Sequence, residues 1–136
     1  MADYLIYDLS GKIIRRGDCS DGFELSQIDS NEESILIESY VEDTYVDVNT
    51  STVVNKTAMP SVINKQEILD DGIDELVISN LFNPTDVVIH GVSLNFYETY
   101  EITDGSFEAT FDEDGEYKVI LSSVPYLDKE YTITVI

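Results

Sequence analysis

The 136-residue chain contains no tryptophan, one histidine, one cysteine and three prolines, and each scarcity narrows what the protein is. Cys19 has no second cysteine to pair with, so an internal disulfide is excluded and nothing in the cysteine usage argues for oxidative export. In its turn-rich segment it reads as a small buried side chain rather than a reactive thiol. His90, with no second histidine and one distant cysteine, supports neither a zinc site nor a Ser-His-Asp triad, and reads as a structural or surface residue. Glycine-rich phosphate loops and interleaved basic-aromatic patches are missing. No apolar run approaches the length of a membrane span. The N-terminal Met1-Ala2-Asp3-Tyr4-Leu5-Ile6-Tyr7-Asp8 lacks the basic region and long apolar stretch of a signal peptide, so synthesis in the cytosol is expected.

Positive charge is equally scarce. Seven Lys and Arg stand against 28 Asp and Glu, a formal net charge of −21. Such a chain repels nucleic-acid phosphate and anionic lipid, so neither nucleic acid nor membrane is expected as a partner. The acids are spread through predicted strands and turns rather than clustered. That distribution fits solubility, in salty surroundings where self-repulsion is screened, better than a dedicated cation site or a surface for a basic partner.

Hydrophobic residues make up 43% of the chain and charged residues 26%, with nine tyrosines. This is a globular balance, and the dominance of Val and Ile among the apolar residues favours strands. Tyr4–Tyr7 and Lys12–Arg16 flank Asp8-Leu9-Ser10-Gly11, the pattern of a hairpin. Gly17-Asp18-Cys19-Ser20-Asp21-Gly22 is dense in turn formers and is expected to close it. The segment Phe23 to Ile28 is too short and mixed to assign. Ser34–Glu38 and Thr44–Val48 are predicted strands, the second with Tyr45 and Asp47 on the face opposite Thr44, Val46 and Val48. Asn49-Thr50-Ser51 then turns the chain into Thr52–Lys56. The result is a small antiparallel unit of about five short strands, a meander or small sheet.

Pro60 removes a backbone donor and biases Met59 towards an extended conformation, which suits a boundary. Residues 1–57 and 60–136 are therefore expected as two β units. Past the joint, Ser61–Leu69 reads as extended and Asp70-Asp71-Gly72 as a turn, with Asp74–Ile78 leading into the next strand. A helix through Lys65–Leu76 is opposed by Gly72 and β-branched flanks. Thr85–His90 is a strand. Tyr100–Thr103 and Ser106–Phe111 around Asp104-Gly105 carry the strongest hairpin signal in the chain. Asp112-Glu113-Asp114-Gly115 is a further tight turn, after which Tyr117, Val119 and Leu121 share one face, and Lys129–Ile136 again alternates. Short strands at intervals of about 8–12 residues predict a β-sandwich.

The motifs offer little chemistry. Asp70-Asp71-Gly72-x-Asp74 and Asp112-x-Asp114-Gly115 resemble fragments of calcium loops, but neither has the EF-hand spacing or its bidentate glutamate. Asp70, Asp71, Asp74, Asp112 and Asp114 are thus candidates for weakly bound calcium at most. The simpler reading is that Asp and Gly supply turn geometry. No other cofactor or metal is expected. With 28 acids available, any pair of glycosidase carboxylates drawn from the sequence would be arbitrary. No catalytic residue is assigned.

Two resemblances sharpen this picture. The order Tyr4-Leu5-Ile6-Tyr7-Asp8, Ser10-Gly11-Lys12-Ile13, Gly17-x-Cys19, Gln27, Ile37-Glu38, Thr44-Tyr45-Val46-Asp47, Val53-Val54-Asn55-Lys56 and Met59-Pro60 resembles small virion proteins of tailed bacteriophages, commonly encoded among tail and tail-fibre proteins. Ile68-x-x-Asp71-Gly72-x-Asp74-x-x-x-Ile78, with Asp114-Gly115-x-Tyr117-x-Val119 and the closing Tyr131-Thr132-Ile133-Thr134-Val135, resembles bacterial Ig-like domains of adhesins and phage virion proteins. Short length and an inserted Leu94-Asn95-Phe96-Tyr97 segment depart from that pattern. Together they imply an all-β chain, a small N-terminal antiparallel unit followed by an Ig-like β-sandwich. Its implied role is a non-enzymatic adaptor or accessory protein in a tailed-phage virion, touching other tail or capsid proteins, with residues 1–57 docking on the assembly and residues 60–136 projecting or bridging.

Virion parts repeat by symmetry, so a homo-oligomer or multiple copies are implied. Docking is expected through strand edges or tyrosine faces, with Tyr4, Tyr7, Tyr45, Tyr97 and Tyr100 as candidates. Arg15 and Arg16 join them as residues that could pin an acidic partner, against the simpler reading of local pairing with nearby acids. The rivals are a capsid decoration protein, a carbohydrate-binding module using aromatics and calcium, and a small hydrolase for which the residues supply no recognisable site.

Overall fold

A computed structural model describes residues 2–20, 27–28, 32–93 and 95–136. Among the described residues the chain is all-β, with thirteen strands and no α-helix. It divides into two compact units, Met1–Thr57 and Ala58–Ile136.

The first unit holds β1 (Ala2–Tyr7), β2 (Ile13–Cys19), β3 (Ser34–Leu36), β4 (Thr44–Asp47) and β5 (Thr52–Asn55). β1 is the middle strand of an antiparallel sheet of order β2-β1-β3, while β4 and β5 pair separately as a hairpin. The unit is therefore two small sheets rather than one meander. Neighbouring residues of a strand point to opposite faces, so the complete burial of both Leu5 and Ile6 means that β1 is covered on both sides. On β4 the alternation is realised as expected, with Thr44 and Val46 buried and Tyr45 and Asp47 half-buried.

Two glycines shape this unit. Gly11, at φ +92°, ends the β1–β2 connection, where Asp8 Oδ1 accepts from the backbone N–H of Ser10 at 2.9 Å and of Lys12 at 3.0 Å. A Cβ at Gly11 would stand 2.0 Å from the carbonyl oxygen of Val46, whose own N–H donates to the Gly11 carbonyl at 2.8 Å. Gly11 thus ties the first sheet to the second hairpin. The expected turn at Gly17-Asp18-Cys19 is instead the end of β2, pairing with Tyr4, Asp3 and Ala2. Gly17 is there because the Tyr4 ring lies across it, with its hydroxyl 2.7 Å from where a Cβ would be. Turn-forming composition was misleading because glycine also serves strands wherever a neighbouring side chain needs the space. Residues 21–26, which complete the expected turn and begin the unassigned segment, lie outside the described residues. The strand expected over Ser34–Glu38 stops at Leu36.

The second unit is a sandwich. Its strands are β6 (Val62–Ile63), β7 (Glu67–Ile68), β8 (Leu76–Ser79), β9 (Thr85–Gly91), β10 (Tyr97–Ile102), β11 (Phe107–Ala109), β12 (Gly115–Ser122) and β13 (Lys129–Val135). One sheet has the order β10-β9-β12-β13-β7 and the other β11-β8-β6. Among the described residues of this unit every strand pair is antiparallel except β7 with β13; because β6 pairs with β8 and β7 with β13, the chain crosses from one sheet to the other between β6 and β7. Period-two alternation fills the space between the sheets. Leu76, Ile78 and Phe107 from the smaller sheet meet Val87, Ile89, Tyr117, Val119, Leu121, Ile133 and Val135 from the larger in one buried cluster. Each fully buried aliphatic side chain contributes about 1.5–3 kcal/mol relative to exposure, which is why these strands keep their register. The strand order, with Tyr117 hydrogen-bonding back across the corner before β12, follows the immunoglobulin-like plan.

One strong expectation fails here. Asp104-Gly105 does not join a hairpin. β10 pairs with β9, β11 pairs with β8, and the 103–106 connection carries the chain from one sheet to the other. Gly105 keeps its positive φ of +84°, and its carbonyl accepts from the N–H of Leu81 at 3.0 Å. Alternation on both sides of an Asp-Gly pair fixes which face of each strand is apolar, not which strand it pairs with. Among the described residues of this unit the hairpins are β9–β10 and β12–β13. The first closes through the segment that looked like an insertion, where the N–H of Gly91 donates to the Phe96 carbonyl at 3.0 Å. Leu94 lies outside the described residues.

Candidate docking surface

The β9–β10 hairpin leaves β10 at the edge of the five-stranded sheet, and β11 is the corresponding edge of the three-stranded one. β10 has the sequence Tyr97-Glu98-Thr99-Tyr100-Glu101-Ile102, and its first five residues are exposed. An edge strand presents backbone N–H and C=O groups along its outer side, and proteins commonly blunt such edges with charge. Here the charge is acidic, from Glu98 and Glu101.

Alternation splits the two tyrosines. Tyr97 is 66% exposed and meets the ring of its cross-strand partner His90 edge-on, with 6.4 Å between centroids. Tyr100 is 41% exposed, and its ring tilts against Phe107 of the facing edge at 5.4 Å, while its hydroxyl donates to Glu98 Oε2. Between the two sheet edges runs an open groove of about 470 Å³, with Tyr100, Ile102, Phe107 and Ala109 as its apolar lining and Asp104 and Glu108 as its acids. A second depression of about 400 Å³ follows β9 and β10, lined in part by Val88, Thr99, Asp86 and Glu101. Neither is lined by any Lys or Arg. The arrangement has the requirements for strand addition: an open edge, a neighbouring apolar trough, and charge of one sign.

The other predicted contact residues are placed differently. In the first unit Tyr7 is buried at 8% exposure, Tyr45 is half-buried, and the half-buried Tyr4 reaches Gln27 Oε1 at 3.4 Å. Arg15 forks onto both oxygens of Glu33, at 2.8 and 2.7 Å, and donates to the Gln27 carbonyl at 3.0 Å. This bidentate geometry is the strong form of the contact and realises the local-pairing reading. The Arg16 guanidinium lies 3.9 Å from the centroid of the Tyr40 ring, a cation–π contact. Ile102, Phe107, Glu98 and Glu101 were not singled out in the sequence. The alternation Glu98-x-Tyr100-x-Ile102 was visible, but identifying the edge requires the pairing.

The acidic turns meet at one end of the sandwich, where the N–H of Gly72 donates to the Phe111 carbonyl at 3.2 Å. In the first of them the carboxylates of Asp71 and Asp74 are occupied in turn geometry. Asp71 Oδ1 accepts from the N–H of both Ile73 and Asp74 at 2.9 Å. Those backbone bonds, Asp74 first, hold the Asp71 carboxyl below its ordinary value. Asp74 takes the Lys65 ammonium on Oδ1 and the Leu69 N–H on Oδ2 at 2.9 Å, and the Lys65 contact is the main cause of its lowered pKa. Asp112 and Asp114 flank Glu113 in the corner before β12, where the three charges add to burial in raising the Tyr117 phenol. Among the described residues no group of three or more His, Cys, Asp or Glu side chains is placed to hold a metal ion. Cys19 is buried at the end of β2, and His90 is exposed on β9.

The sequence matches no protein-family model and no curated protein.

Proposed function

We propose that the chain is a non-enzymatic structural protein of a tailed-phage virion, a tail or tail-fibre-associated adaptor that assembles through its β units. The particle comes from the sequence resemblance of residues 1–60 to tail-associated virion proteins. The mode of assembly is supported by one structural observation: β10 is an edge strand with five consecutive exposed residues beside an apolar groove. An adaptor needs contact area and directional backbone pairing rather than converging reactive groups, and a sandwich edge supplies both.

The test is a census of purified particles by quantitative mass spectrometry together with cryo-electron microscopy. A copy number that is a small multiple of the tail's rotational symmetry, with density for the chain on the tail, is expected. Hundreds of copies on the capsid would replace the tail adaptor with a head decoration protein. Absence from the particle would overturn the virion assignment.

A further inference from the structure

We infer that β10 is the acceptor for an extended basic segment of a different protein, which adds as a further strand at this edge and places apolar side chains in the adjoining groove. The inference names the partner chemistry of the assembly surface proposed above and rests on that reading. Its test uses isolated protein, so it can fail while the particle census succeeds, and the reverse.

Three observations converge. Among the described residues β10 pairs only with β9, over six residues from Tyr97↔His90 to Ile102↔Thr85, which leaves its other edge open. The groove beside it is floored by Phe107, which is 4% exposed, and walled by Tyr100 and Ile102. Alternate side chains of an added strand point into such a trough, two residues apart.

The charge then selects the occupant. Glu98 and Glu101 lie on β10, Asp86 lies on β9 opposite Glu101, and Asp104 and Glu108 border the groove, with no Lys or Arg in either lining. A second copy of this chain would carry another −21 charges, and like charges placed opposite one another across a strand pair are destabilising. The same glutamates that discourage self-pairing therefore favour Lys or Arg on the incoming segment. Charge of this kind gives both specificity and a faster encounter.

The probe is a synthetic peptide alternating valine and lysine, added to the isotope-labelled full chain at low salt, beside a control alternating valine and glutamate. Amide shifts and hydrogen-exchange protection at residues 97–102, with the lysine peptide alone, are expected. Raising the salt should weaken binding, because these charges are exposed. The double variant Glu98→Lys/Glu101→Lys changes two exposed side chains, and should weaken the lysine peptide by about tenfold or more while gaining the glutamate peptide. Equal binding of both peptides, protection mapping away from 97–102, an unchanged preference in the double variant, or no binding at low salt would each overturn the inference. So would concentration-dependent self-association through β10, which would make a second copy the occupant.

Discussion

The Tyr117 hydroxyl donates to the carbonyl oxygen of Glu113, 2.8 Å away, and closes the corner that leads into β12. The ring beneath it is 2% exposed and packs against Phe96 at 5.5 Å and Phe111 at 4.8 Å between centroids. One side chain thus fixes the entry of the strand that pairs with both β9 and β13.

Tyr117→Phe keeps the ring and removes the bond, leaving the Glu113 carbonyl without that partner. A loss of about 0.5–1.5 kcal/mol is expected in urea denaturation at neutral pH, with an unchanged m-value. Burial, then the charges of Glu113, Asp112 and Asp114, hold the phenol above its ordinary value of 10.0. The folded state therefore keeps this proton where the unfolded chain has begun to release it. Stability falls as pH rises past the ordinary value and through the raised one. The parent should lose its advantage over Tyr117→Phe across that range, and a constant difference would contradict the assignment.

At Asp74 the linkage has the opposite sign. Its carboxyl is held below the ordinary 3.8, first by the Lys65 side chain and then by the Leu69 N–H. The folded state stays ionised to lower pH than the unfolded chain, so the contribution is present above the ordinary value and disappears as pH falls through the depressed one. Asp74→Asn should be less stable than the parent at neutral pH, with the gap closing in acid. Denaturation midpoints measured across the acid range check this, and a pH-independent gap would refute it.

Gly11→Ala should disrupt the first unit, because its Cβ would meet the Val46 carbonyl oxygen at 2.0 Å and because φ is +92°. Strain at such a position costs of order 1–3 kcal/mol, and the backbone clash adds to it. Hydrogen exchange is the direct readout: the Val46 amide, which donates to Gly11, should lose protection. Retained protection there would mean that the two elements are not coupled through this glycine.

Phe107 distinguishes packing from docking. It forms the floor of the groove, yet it belongs to the core cluster, so Phe107→Ala should cost about 3–5 kcal/mol. Glu98→Lys/Glu101→Lys should stay within about 0.5 kcal/mol of the parent, as exposed substitutions usually do. Thermal and urea unfolding compare them. A large loss in the double variant would show that the acidic edge is structural.

What could be read from the sequence follows from burial. Leu76 with Ile78, Val87 with Ile89, Tyr117 with Val119 and Leu121, and Ile133 with Val135 alternate because one face of each strand enters the core, and these strands stand where the periodicity placed them. Where neither face is covered the signal fades. β10 is exposed nearly throughout, so its alternation identified a strand and its Asp104-Gly105 neighbour suggested the wrong partner. Gly17 looked like a turn because the need to clear the Tyr4 ring is set by strand pairing, which a local pattern does not encode. The groove beside β10 was hidden for the same reason. It is made by two edges, β10 and β11, that belong to different sheets.

The proposed assembly through the β10 edge is tested most directly by a cryo-electron microscopy map of the chain within the particle. Continuous density for a partner strand along Tyr97–Ile102, with basic side chains beside Glu98 and Glu101, is expected. A map in which that edge faces solvent while the chain is held by other surfaces would contradict it.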